Sequence, residues 1–315
     1  MDSTGQTAIR RAMQTAGLGV LPARVLLLLL LLMAGCATPR DADRADWLEW
    51  REQRHASLTA PTGWLALAGL HWLQEGPNPV GSHPTNSVVL PGTAIPAAVG
   101  VLERSGKLVR FSAAPGAEVK AEGVRVDHQE LRSDAGQEPT RLEVGGISFW
   151  VLDRGDRMGV RVRDPASPAR AGFKGLDFFP YRREWRKPGR FERYPEPGTL
   201  RVADVTGGMQ ELRAVGDLVF QAPQGPVRLL AVEEDADGDL FVLFRDKTAG
   251  ESTYAAGRYL YVRRPGADGA VVIDFNRAYN PPCAFTPFAT CPIPPRRNWL
   301  PFAVPAGERK TSVHP

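Results

Sequence analysis

The chain has 315 residues, 43% of them hydrophobic and 23% charged, with a formal net charge of +4. That is enough apolar residue for one large or two modest cores, which excludes a disordered chain. The small net charge leaves no nucleic-acid footprint, and 32 glycines with 28 prolines favour short strands joined by turns.

At the N-terminus Arg10, Arg11 and Arg24 precede an apolar run over residues 25–32 that ends in Met33-Ala34-Gly35-Cys36. Basic residues, an apolar run and small residues before a cysteine follow the order of a bacterial lipoprotein signal. The run is shorter than the roughly 20 apolar residues a spanning helix requires. The expectation is therefore cleavage after residue 35 and lipidation of Cys36, with a single-pass anchor as the alternative. Ala37, where an aspartate would retain a lipoprotein at the inner membrane, points to the periplasmic side of the outer membrane. The membrane is thus an expected partner, through Cys36.

Residues 41–57 carry a helical stripe of Trp47, Trp50, Arg51, Arg54 and Leu58, with Asp43 placed to cap its start and Pro61-Thr62-Gly63 to stop it. Short strands then follow over 87–90, 99–102, 108–112, 118–126, 140–144, 147–152 and 158–163, separated by Pro-Gly, Ser-Gly and Gly-Gly turns. This spacing predicts a β-sandwich. Gly81, Asn86 before Val88-Val89-Leu90-Pro91, and Glu122-Gly123 before Val124 resemble the order of features in a forkhead-associated domain. Ser82 stands where that family places its phosphate-binding arginine, so the resemblance implies the sandwich shape and not phosphothreonine recognition.

A Pro- and Gly-containing connection, residues 166–180, leads to a second strand series over 190–194, 199–205, 209–215, 218–222, 227–233, 240–245, 258–263 and 271–275. The predicted organisation is a signal peptide (1–35), a linker with the helix (36–75), the sandwich (76–165) and a C-terminal antiparallel β domain with a Pro-rich motif loop (166–315). The fold class is mainly β. The acidic turn 233–239 lacks the downstream glutamate of a calcium loop and reads as a hairpin. No nucleotide-loop, nucleophile-elbow or zinc-protease motif occurs, and no metal or cofactor is implied.

The polar residues gather at residues 246–280. Val271, Ile273 and Phe275 alternate with Val272, Asp274 and Asn276, while Arg258 is opposed in parity to Tyr259 and Tyr261. If these two strands pair as a hairpin, Arg258 falls on the face of Asp274 and Asn276, with Arg277, Tyr279 and Asn280 at its mouth and Glu251 and Tyr254 in the loop before it. These eight residues are the candidate ligand site; the alternative is that they satisfy the backbone of an irregular, proline-rich wrap. Cys283 and Cys291 read first as a disulfide in an oxidising compartment, then as free buried thiols, with metal binding the least favoured.

The runs E-S-T-Y-A-A-G-R-Y-L (251–260), D-F-N-R-A-Y-N-P-P-C-A-F (274–285), C-P-I-P-P (291–295), Asn298 and A-G-E-R-K (306–310) resemble the bacterial domain of unknown function 1684 family. The resemblance extends over about 50–310 and implies a grouping with no assigned activity. Three functions follow as expectations: a lipid-anchored protein binding a small polar or anionic ligand, a hydrolase or lyase using Asp274 or Glu251 as base with Arg258, and an envelope interaction module.

Overall fold

Period-two alternation of apolar residues, punctuated by glycine turns, produces the antiparallel strands that dominate this protein. The computed structural model describes residues 39–311 except 136, 137 and 237; the signal segment and Cys36 lie outside the described residues. Helix α1, Pro39–Thr59, comes first. It starts before the expected residue 41, so Asp43 sits inside it rather than at its cap.

The strands β1 (Leu67–Trp72), β2 (Gly76–Gly81), β3 (Val88–Val89), β4 (Gly100–Ser105), β5 (Leu108–Ala113), β6 (Lys120–Ala121), β7 (Val124–Arg125), β8 (His128–Leu131), β9 (Leu142–Val144), β10 (Ile147–Arg154) and β11 (Arg157–Arg163) build two stacked sheets. Their orders are β1-β11-β10-β9-β6-β7 and β3-β2-β4-β5-β8. Val80, Leu102 and Phe111 meet Phe149, Val151, Val160 and Val162 in the core between them. The edge strand β1 lies within the stretch assigned to the linker. It pairs with β11 because Leu67 and Leu70 belong to the sheet's other apolar face, with Trp150 and Leu152.

After a single turn of helix, α2 (Pro168–Ala171), the strands β12 (Arg186–Ala203), β13 (Met209–Ala222), β14 (Gly225–Glu233), β15 (Leu240–Phe244), β16 (Arg258–Val262) and β17 (Ala270–Asp274) form one sheet, ordered β16-β15-β14-β13-β12-β17. The expected hairpin between 258–263 and 271–275 does not form. β17 pairs with β12, Arg186 opposite Asp274, at the edge remote in sheet order from β16. Alternation instead sends Ile273 and Phe275 into the same interior as Leu260 and Val262. Arg258 shares that interior, while Asp274 lies on the opposite parity of its strand. The free edge of β16 is met by residue 279: the Tyr259 amide donates to the Tyr279 carbonyl, and the Tyr279 amide to the Tyr259 carbonyl, each at 2.9 Å.

Two motif glycines follow from these close approaches. Gly257 has φ +107°, and a Cβ there would stand 2.6 Å from Pro294 Cγ; Gly307 has φ +79°, with a Cβ position 2.3 Å from the Ala278 carbonyl oxygen.

The sandwich is tied to the C-terminal sheet by Arg157, which donates to the Thr206 carbonyl (3.2 Å) and hydroxyl (3.0 Å) beside Asp204. Burial pushes the Asp204 carboxyl up, but hydrogen bonds from Thr206, the Gly208 amide and Gln210 together outweigh it and hold the group below its ordinary 3.8. A depressed folded pKa contributes stability above about 3.8 that is lost as pH falls through the folded value. Asp204→Asn is expected to cost about 1–2 kcal/mol at pH 7 and to weaken this acid-side loss, measured by urea unfolding at pH 7 and pH 3.

Candidate functional site

Strand parity places the polar groups of one cavity. On β11 Val160 and Val162 enter the sandwich core, so Arg161 between them must leave by the other face. On β16 Leu260 and Val262 enter the interior of the C-terminal sheet, so Tyr259 and Tyr261 emerge on its outer face beside Phe241 of β15. Helix α1 contributes Trp50 and Arg54, and the Pro-rich loop contributes Thr290 and Cys291. These elements enclose a cavity of about 620 Å³, also lined by Trp64, Arg154, Gln210, Glu234 and Tyr279. The size is that of a small-molecule site, which typically spans roughly 300–1,000 Å³.

Three guanidinium groups line it, and their partners differ. Arg54 donates to Glu308 (2.8 Å) and to the Asn280 carbonyl (2.9 Å), while its charged plane sits 4.7 Å from the Tyr279 ring centre. Arg154 grips Asp134 with two bonds of 2.8 and 2.7 Å and donates to the Thr290 hydroxyl at 3.0 Å. Arg161 is only 6% exposed and, among the described residues, has no hydrogen-bond or ion-pair partner. It lies 5.4 Å from the Trp64 ring centre. Burial, followed by the charge of Arg154, drives its pKa down to about 10. At neutral pH it nevertheless remains charged, a desolvated cation facing a cavity.

The opposite wall is aromatic and neutral. Phe241 meets the Tyr259 ring edge-on and stacks on Tyr261, each at 5.0 Å, and Tyr261 stacks on Tyr279 at 6.0 Å. Burial raises the hydroxyl pKa of all three tyrosines. The Glu234 carboxylate, which accepts from the Tyr261 hydroxyl, adds to the shift there. No phenolate therefore competes with a ligand for Arg161.

Of the eight candidates from the sequence, Tyr279 lines this cavity. Asp274 and Arg277 line an adjoining one of about 670 Å³ that shares Trp50, Tyr261 and Tyr279 with it. Burial raises the Asp274 carboxyl, against the pull of Asn276, Arg277 and Arg186. Arg277 also pairs with Asp46 of α1. Arg258 is enclosed with Asp246 and donates to the Val304 and Ala306 carbonyls. Asn276 exchanges hydrogen bonds with the Arg182 backbone, and Asn280 donates to the Arg309 carbonyl. The Tyr254 hydroxyl bonds the Cys283 carbonyl, and Glu251 is exposed on the turn after Asp246. These polar groups are therefore split among backbone stitches, two cavities and a surface turn. Arg161, Arg154 and Tyr259 escaped the sequence reading. The available signal was an arginine flanked by buried valines in G-V-R-V-R, with no acidic neighbour to pair it.

The expected disulfide is absent. Cys283 and Cys291 are free buried thiols, with the Cys283 amide donating to the Cys291 sulfur at 3.2 Å. The loop is held instead by tyrosine hydroxyls: Tyr254 bonds the Cys283 carbonyl at 3.2 Å, and Tyr259 the Pro292 carbonyl at 2.7 Å. Alkylation in denaturant without reductant, followed by peptide mass analysis, is expected to label both cysteines, whereas the native protein leaves them unlabelled.

The architecture defines a mainly β protein with an N-terminal helix, several antiparallel sheets and a cationic, aromatic-walled cavity where they meet. Residues 171–309 match the family described as "Protein of unknown function (DUF1684)". The chain is similar to an uncharacterized protein of Haloarcula marismortui, solved by solution NMR, at 33% identity over 48% of this chain and 85% of that one, with a TM-score of 0.40. A phosphothreonine-dependent FHA domain aligns at 14% identity over 30% of this chain and 92% of its own, with a TM-score of 0.22, too distant to bear on the chemistry here. None of the curated proteins matches the chain.

Proposed function

We propose that this protein binds a small anionic ligand in the cavity between α1, the sandwich and the C-terminal sheet, and that it does so at the periplasmic side of the envelope, anchored through lipidated Cys36. The observation that carries the binding reading is Arg161, a cation 6% exposed with no hydrogen-bond or ion-pair partner among the described residues, lining a cavity of about 620 Å³. Burying an unpaired charge costs several kcal/mol, and a bound anion is the group that would offset it. The hydrolase or lyase reading needs Glu251 and Asp274 at one cavity, but Asp274 lines the adjoining one and Glu251 lines neither. On the sandwich, Val124 stands alone as an exposed large hydrophobic among the described residues, which gives an interaction module no apolar surface to use.

Thermal unfolding of the purified protein against a panel of small carboxylates, phosphates and sulfonates tests the binding. At least one anion class is expected to raise the midpoint for the wild type and not for Arg161→Gln. Equal responses from the two proteins would remove the reading. The anchor is tested separately by Cys36→Ala, which is expected to move the protein from the membrane fraction to the soluble one.

A further inference from the structure

We infer that the ligand is a monocarboxylate borne on a flat ring, with a hydrogen-bond donor at its far end. This rests on the anion-binding reading above and deepens it.

The charges at the cavity set the ligand's charge. Arg54 is neutralised by Glu308 and Arg154 by Asp134, leaving Arg161 as the cation at that end with no ion-pair partner among the described residues. One free guanidinium matches one negative charge, and its planar fork matches the two oxygens of a carboxylate. A phosphate monoester, close to doubly charged at neutral pH, would bring a second charge with no free cation to meet it.

The walls set the ligand's body. Trp64 lies under Arg161, while Tyr259, Phe241, Tyr261 and Tyr279 form a continuous run of rings with centre spacings of 5.0 to 6.0 Å. Such a surface favours an offset-stacked or edge-on ring over a flexible chain. The same cavity is lined by Glu234, an exposed carboxylate that accepts from the Tyr261 hydroxyl and has no cationic partner among the described residues. It can accept a further hydrogen bond, so a hydroxyl or amino group on the ring's far side fits there.

Isothermal titration of the purified full-length protein at pH 7.5 uses four probes: 4-hydroxyphenylacetate, phenyl phosphate, hexanoate and 4-hydroxybenzyl alcohol. The hydroxyphenylacetate is expected to bind at least tenfold more tightly than the other three, and Arg161→Gln to weaken it at least tenfold. Glu234→Gln is expected to weaken it about threefold while leaving the affinity for phenylacetate, titrated as a fifth compound, unchanged. Arg161→Met, with its thermal midpoint recorded alongside, repeats the loss in a variant whose folding is checked. Tighter, Arg161-dependent binding of phenyl phosphate or hexanoate would overturn the ring-borne carboxylate and leave the anion-binding reading standing. Binding of none of the four, or binding indifferent to Arg161, would overturn both.

Discussion

Arg161→Met is expected to raise the thermal midpoint of the unliganded protein while removing its response to anions. Most substitutions of buried residues destabilise, so the sign is the informative part. The Arg161 guanidinium has left water, has no acceptor among the described residues and stands near the charge of Arg154. Methionine fills similar space without that desolvation cost, and the gain is expected to be about 1–3 kcal/mol, or roughly 2–4 °C per kcal/mol for a chain of this size. Arg154→Met supplies the contrast: it strands Asp134 and loses the bond to Thr290, so it is expected to lower the midpoint. The pH dependence carries the same signature. With the folded pKa near 10, below the ordinary arginine value, the unfolded chain holds more protons than the folded one between those limits. Stability therefore rises with pH through that window, and the cost is fully present below it. In Arg161→Met that slope is expected to flatten. Ligand pairs the charge by another route, and saturation at 100 times Kd would stabilise the wild type by about 2.7 kcal/mol.

What the sequence could and could not reveal follows from the range of each signal. Alternation and turn residues are local, and they located the helix stripe of Trp47, Arg54 and Leu58 and most of the strands, but not β1, β2 or β8. Strand partners are not local. Residues 258–263 and 271–275 sit side by side in sequence, and a hairpin was the natural expectation. β17 pairs with β12 instead, because that register buries Ile273 and Phe275 together with Leu260 and Val262. That one difference moves Arg258 away from Asp274 and dissolves the anticipated cluster. The cavity was harder still, since its lining comes from α1, β10, β11, β13, β15, β16 and the Pro-rich loop. No window of the sequence contains two of its three arginines at a suggestive spacing.

Asp246→Ala is expected to produce the largest loss of stability in the protein, about 3–5 kcal/mol by chemical unfolding. Arg258 and Asp246 pair at 3.1 Å with side chains 1% and 2% exposed. Asp246 also accepts from the Val304 amide (2.7 Å) and the Thr248 hydroxyl (2.7 Å), while Arg258 donates to the Val304 carbonyl (2.9 Å) and to Ala306. The pair therefore holds the C-terminal segment against β16 and the turn after β15. Removing the carboxylate alone leaves a guanidinium in an apolar interior beside Phe244, 5.2 Å from its ring centre. Removing both, in Asp246→Leu with Arg258→Met, abolishes that stranded charge but leaves the Val304 amide and the Ala306 carbonyl without the partners the pair supplied, at about 1–3 kcal/mol each. The double variant is thus expected to lose less than the two single losses added together, with a coupling of at least about 2 kcal/mol. It is also expected to retain anion affinity in its folded fraction. Arg258 and Asp246 do not line the cavity of Arg161, and a loss of affinity in that fraction would place Arg258 in the binding machinery after all.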